Sequence, residues 1–223
     1  MCGIAGFISN RKFDKEVYIS ETVKSINHRG PDESRIIKVN NYCLGFNRLA
    51  ILGLNSKYSS QPLKLGNKIL LYNGEIYNFK TLSKLVNNHI SNKNISDTEV
   101  LIRLIEKFGI KETLKKIDGM FSFAYIDISK NEIYLVRDKM GQKPLYYYKN
   151  ENEFWFGSEI KTITLSGKVS KKINIEKIND YFINGKIYGK HTFFKNILEV
   201  EPGTIIKFNL DKKSINEYIY WNL

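Results

Sequence analysis

The residue behind the initiator methionine is Cys2, one of two cysteines in 223 residues. A small side chain at this position lets Met1 be removed, which leaves a thiol and a free α-amino group on one residue. The thiolate is the reactive form, and an ordinary cysteine is mostly protonated near neutral pH. A free α-amino group titrates at about 7.7–8.0. An N-terminal cysteine therefore carries its own general base, acting directly or through one water. The competing reading is an incidental small hydrophobe at the start of a strand, CGIAGFI.

Three further places could complete such a centre. In KILLYNGEIYNF an apolar strand delivers Asn73 and Gly74 at its C-terminal end, followed by Glu75. An Asn amide and a Gly N–H together make an oxyanion hole for a tetrahedral intermediate. Asn-Gly is also the commonest hairpin turn, but a helix rather than a return strand follows. Arg48 stands between the strand-like YCLGFN and the apolar LAIL, a place from which a guanidinium can grip a carboxylate. Its alternative is an ordinary surface ion pair. Asp97 lies in SDTEV, where Ser96 and Glu99 fit a helix-capping box; the same helix start could present Asp97 to a substrate ammonium. HRGPDE (28–33) reads as a loop around a site, and RDKMGQKPLYYY (137–148) as a turn in which Arg137 and Asp138 pair locally. The histidines at 28, 89 and 191 share no ligand spacing with the cysteines, so no metal site is expected. Neither GxxxxGK[ST] nor GxGxxG occurs to cradle a nucleotide.

The elements that must position these residues are legible in outline. Short runs rich in β-branched and aromatic residues predict strands at CGIAGFI, RIIKV, KILLYN, FSFAYID, EIYLVRD, PLYYY, EFWFGS and TIIKFN. Helical spacing predicts 14–27 (Val17, Thr22, Val23, Ile26), 78–88 (Phe79, Leu82, Leu85, Val86) and 97–108, the last stopping at Gly109, with a weaker helix at 174–184. Turns as short as ISKNE and KNENE favour antiparallel sheets. The fold class expected is α+β, two antiparallel sheets covered by helices.

Composition narrows the function. Hydrophobic content of 42% with 26% charged residues is that of a soluble globular chain. No run approaches the ~20 apolar residues of a membrane span, and IAGFI is too short and unflanked to be a signal peptide. Two cysteines build no disulfide framework, which points to a reducing cytoplasm. A net charge of +12 invites nucleic acid. Against that, the lysines are scattered and only Arg11, Arg29, Arg35, Arg48, Arg103 and Arg137 supply guanidinium, so no nucleic-acid partner is expected.

Taken in order, MCGIAGF, NHRGPD, FNRLAIL, LYNGEIYN, SDTEV, GMFSFAYID and VRDKMGQKPLYYY resemble the glutaminase domain of class II glutamine amidotransferases, in its asparagine synthetase branch. The resemblance runs from Cys2 to the YW near 221. It implies the N-terminal nucleophile hydrolase fold, a four-layer αββα sandwich. It also implies Cys2 as nucleophile with its amine as base, Asn73 and Gly74 as oxyanion hole, and Arg48 on the α-carboxylate of L-glutamine. Glu75 and Asp97 would hold the α-ammonium, helped by backbone of Leu49, Ile51 and Leu52. The family usually carries a histidine two residues before the arginine; here it is Phe46.

The same resemblance implies residues 2–208 as the glutaminase domain and 209–223 as a linker toward a synthetase domain that accepts the ammonia. ATP and Mg would belong to that domain, with no cofactor in this one. A homodimer is compatible with the family. A stand-alone glutaminase is the other arrangement, and a catalytically silent glutamine-binding module is the alternative function.

Overall fold

In the computed structural model, residues 1–9, 14–51, 58–89 and 95–222 are described. The elements in chain order are β1 (Gly3–Ser9), α1 (Lys15–Ser25), β2 (Glu33–Val39), β3 (Tyr42–Arg48), β4 (Leu63–Leu65), β5 (Lys68–Ile76), α2 (Phe79–Ser83) and α3 (Asp97–Lys116). They continue with β6 (Gly119–Asp127), β7 (Glu132–Arg137), β8 (Tyr146–Lys149), β9 (Glu153–Gly157), α4 (Lys161–Thr164), α5 (Ile175–Asn184), β10 (Ile197–Glu199), β11 (Thr204–Asn209) and β12 (Ser214–Ile219).

The strands form two six-stranded sheets, ordered β10-β8-β9-β1-β3-β2 and β12-β11-β7-β6-β5-β4. Neighbours in both pair antiparallel. Both faces of each sheet are covered, which is why the strands read as nearly continuous apolar runs. Period two sorts their side chains. Ile4, Ile8, Leu44, Phe46, Ile69, Leu71, Ala124, Ile126 and Phe208 fill the space between the sheets. Leu70, Tyr72, Phe123 and Tyr125 point the other way and pack under Leu101, Leu104 and Ile105 of α3. Phe7, Cys43 and Trp155 pack under Tyr18 and Ile19 of α1. These three cores make the four layers of an αββα sandwich. Phe154 stacked on Phe208, ring centroids 4.6 Å apart, ties the sheets together; each such buried ring contributes about 1.5–3 kcal/mol.

Several expectations need correction. Val17 is exposed on α1, whose buried stripe is Tyr18, Ile19, Thr22 and Val23. Leu85 is exposed because the chain tightens into a 3₁₀ turn after α2, with Val86 off helical geometry (φ −126°). Residues 209–223, expected as a linker, include β12, which extends the second sheet, and Tyr220 and Trp221 donate their N–H groups to the Gly203 carbonyl. Arg137, the last residue of β7, and Asp138, just past its end, act separately. Arg137 pairs with Glu199 at 2.7 Å. The Asp138 carboxylate accepts from the N–H groups of Phe121, Met140, Gln142 and Lys143. The expected stop at Gly109 is a break inside α3, where the chain takes φ +76° and a second helical stretch follows. Glycine meets that positive φ without strain.

Candidate active site

The same period of two brings the site together. Cys2 shares the parity of Ile4, Asn73 that of Ile69 and Leu71, and Arg48 that of Leu44 and Phe46. All of them therefore face the gap between the sheets, Cys2 and Arg48 from the first sheet and Asn73 from the second. The mouth of that gap is a cleft of about 240 Å³. It is lined by Cys2, Arg48, Leu49, Ile51, Asn73, Gly74, Glu75 and Asp97, all predicted from sequence. Leu52 lies outside the described residues. Tyr72, Gln61, Met120 and Lys143 line the cleft as well and were not singled out by the sequence.

Cys2 is anchored on both sides. The Leu49 N–H donates to Cys2 Sγ at 3.4 Å, and Arg29 Nε donates to the Cys2 carbonyl at 3.0 Å. The HRGPDE loop thus holds the N-terminus in place, and its Asp32 also accepts from the Ala50 N–H at 2.7 Å. Burial pushes the Cys2 thiol above its ordinary value, while the Leu49 N–H, the N-terminal ammonium and Arg48 pull it back. A thiol held up in this way needs a base to become a nucleophile.

Asn73 is 1% exposed, and its Nδ2 has no hydrogen-bond partner among the described residues. A buried amide donor left unpaired is uncommon and costly. Here it borders a cleft that holds a cysteine. Gly74 has a structural reason as well: a Cβ there would meet the Met120 carbonyl oxygen of β6 at 2.2 Å. The Asn-Gly pair is no hairpin, because both residues lie within β5, paired with Ser122 and Phe121.

The far wall is anionic. Asp97 begins α3 after Ser96, whose Oγ accepts from the Glu99 N–H as the capping pattern predicts. Its carboxylate accepts from Tyr72 Oη at 2.8 Å, the Ile76 N–H at 3.3 Å and the Thr98 N–H at 2.9 Å. Burial pushes the Asp97 carboxyl up, and these three donors pull it back. Gln61 in turn fixes Tyr72, accepting from its N–H at 2.5 Å and donating to its carbonyl at 3.1 Å. Arg48 Nη1 lies 3.5 Å from Glu33 at the rim. Phe46, 1% exposed, offers the cleft an apolar wall that carries no proton. A larger cavity of about 500 Å³ lies on the outer face of the second sheet beside α3. Two of its lysines, Lys68 and Lys207, are paired with Asp127 and Glu132, and among the described residues no cysteine, serine or threonine lines it.

Residues 1–221 match the glutamine amidotransferase domain family. The chain belongs to that family. Its amidotransferase relatives include a Methanocaldococcus jannaschii protein provisionally named asparagine synthetase (glutamine-hydrolyzing) 2, 38% identical over 100% of this chain and 47% of that protein. Asparagine synthetase (glutamine-hydrolyzing) 2 of Bacillus subtilis is 34% identical over 100% of this chain and 31% of its own length. The Homo sapiens asparagine synthetase (glutamine-hydrolyzing) is 33% identical over 80% of this chain and 36% of its own. The amidotransferase chain thus spans about half of the first relative and about a third of the others. Among solved structures, glutamine phosphoribosylpyrophosphate amidotransferase from B. subtilis matches with TM-score 0.64 at 20% identity, over 100% of this chain and 50% of that one. The likeness shows a shared fold, the N-terminal nucleophile hydrolase sandwich. Among the described residues of the amidotransferase chain, no group of three His, Cys, Asp or Glu could hold a metal ion, and no helix is long and apolar enough to cross a membrane.

Proposed function

We propose that this chain hydrolyses L-glutamine to glutamate and ammonia through a thioester on Cys2. The observation that carries the reading is the Cys2 thiol, from one sheet, and the unpartnered Asn73 amide, from the other, bordering one cleft with a carboxylate wall behind it.

With Met1 removed, the Cys2 amine takes the thiol proton and Sγ attacks the side-chain amide carbon of glutamine. The carbonyl oxygen becomes an oxyanion, met by Asn73 Nδ2 and the Gly74 N–H. Collapse of the intermediate breaks the C–N bond, and the protonated amine gives its proton to the departing ammonia. A γ-glutamyl thioester remains on Cys2. The same amine then takes a proton from water, whose oxygen attacks the thioester; glutamate leaves and the thiol is restored. Arg48 binds the α-carboxylate, and Asp97 with Glu75 binds the α-ammonium, an arrangement that selects a free amino acid over a peptide glutamine. Leu49 and Ile51 border the same cleft, and their backbone would help to hold the substrate.

In the longer protein, the ammonia would be passed to an ATP-dependent amide-forming region. That reading draws on the relatives' greater length and on their names. Glutamate and ammonia released from L-glutamine by the purified protein, measured in equal amounts, test the core proposal; no release at neutral pH would refute it.

The clamp has its own test. Arg48→Leu should raise KM for glutamine about tenfold to a hundredfold, the cost of losing a charge-assisted pair, while kcat falls far less. A loss confined to kcat would place Arg48 elsewhere in the chemistry.

A further inference from the structure

Lys143 lies in the same cleft, and the mechanism above leaves it unused. Its main chain is pinned: its N–H donates to Asp138 at 3.2 Å and its carbonyl accepts from Arg137 Nε at 2.9 Å. The next carbonyl, of Pro144, accepts from Ser122 Oγ at 3.2 Å, and Ser122 is the register partner of Asn73. The backbone thus places Lys143 beside the oxyanion element, and the residue lines the cleft with Met1 and Cys2. The residue is only 7% exposed, yet no carboxylate pairs with its ammonium among the described residues. Lysines this buried are normally matched with an acid, and one held unmatched in a cleft marks a functional place.

The other charges around the N-terminus are accounted for. On the loop after α1, Arg29 holds the Cys2 carbonyl and Glu159, and Asp32 holds the Ala50 N–H. From β3, Arg48 meets Glu33. From α3, Asp97 holds Tyr72. Glu75 of β5 lies along the cleft wall.

We infer that Lys143 is an electrostatic positioning residue of the glutaminase centre, its ammonium set in the cleft to keep the N-terminal amine free to act as base. The inference rests on the glutaminase reading above. A cation disfavours a second cation nearby. The Met1 amine is held below its ordinary value by burial first, then by Arg29 and Lys143, with Cys2 and Asp32 opposing. With Met1 removed, the N-terminal amine is that of Cys2, which lines the same cleft as Lys143.

The test compares the full-length protein with its Lys143→Met, Lys143→Gln and Lys143→Arg variants, measuring kcat/KM for glutamine hydrolysis from acid to alkaline pH. Neutralising Lys143 makes the ammonium easier to form, so the amine is lost as a base at higher pH than before. The acid limb of the neutral variants should move up by about half to one pH unit, so that kcat/KM near pH 6.5 falls roughly three- to tenfold. At pH 9 it should stay within about twofold of wild type, and Lys143→Arg should restore the wild-type profile. The pH dependence of acylation of the N-terminal amine, read by mass spectrometry without glutamine, should shift in the same direction. An unmoved acid limb and labelling profile would overturn the inference, as would a loss uniform in pH that arginine does not rescue. Neutral variants that fail to fold would mark Lys143 as structural and overturn it too. Wild-type protein without glutaminase activity would instead sink the glutaminase reading, while amine labelling still reported on Lys143.

Discussion

Cys2→Ala is expected to remove glutamine hydrolysis almost completely, a loss of at least about a thousandfold in kcat, because no other group in the cleft can form the thioester. Cys43, the other cysteine, faces α1 on the far side of the first sheet and cannot substitute. The fold should survive. Cys2 is only partly buried at the end of the core between the sheets, and its backbone anchor to Arg29 is untouched by the substitution. Ammonia release and thermal unfolding, measured on the same preparation, separate the two effects. Activity within tenfold of wild type would remove Cys2 from the chemistry.

The second large effect belongs to Asn73. Asn73→Ala should lower kcat about a hundredfold to a thousandfold with little change in KM, the usual cost of losing one oxyanion donor. Its effect on stability should have the opposite sign. The Nδ2 atom is buried and unpartnered, so deleting it relieves a desolvation cost rather than breaking a bond. The variant should therefore melt at or above the wild-type temperature while hydrolysing far more slowly. Such a trade of stability for activity is what a donor reserved for a transition state produces. A lower melting temperature with unchanged kcat would show that Asn73 is a structural amide.

Much of this site was legible because its residues sit beside strong sequence signals. Asp97 follows its Ser96 cap, and Asn73 and Gly74 follow the apolar run inside β5. The meeting of Cys2 and Asn73 was not written locally: it depends on β1 and β5 falling in different sheets with matching parity. Nothing in KILLYN sets Tyr72 apart from the rest of the strand. Parity sends it to the α3 side, where its hydroxyl finds Asp97. Gln61 reaches Tyr72 across a chain reversal, which no periodicity encodes. Lys143 was hidden in a basic chain, one lysine among many, until burial set it apart. The fold class followed from short turns and apolar runs. The buried stripe of α1 was misread at Val17 because apolar residues flank both sides of that helix face. β12 was missed because an edge strand with exposed polar residues carries little hydrophobic signal.

The central claim is a glutamyl thioester on an N-terminal Cys2. The most direct measurement is mass spectrometry of the N-terminal peptide after brief exposure to L-glutamine and acid quench. The expected peptide begins at Cys2, without Met1, and a fraction of it carries one glutamyl group that hydroxylamine removes. Glutamine consumed by a protein that keeps Met1, with Cys2 never modified, would contradict the account.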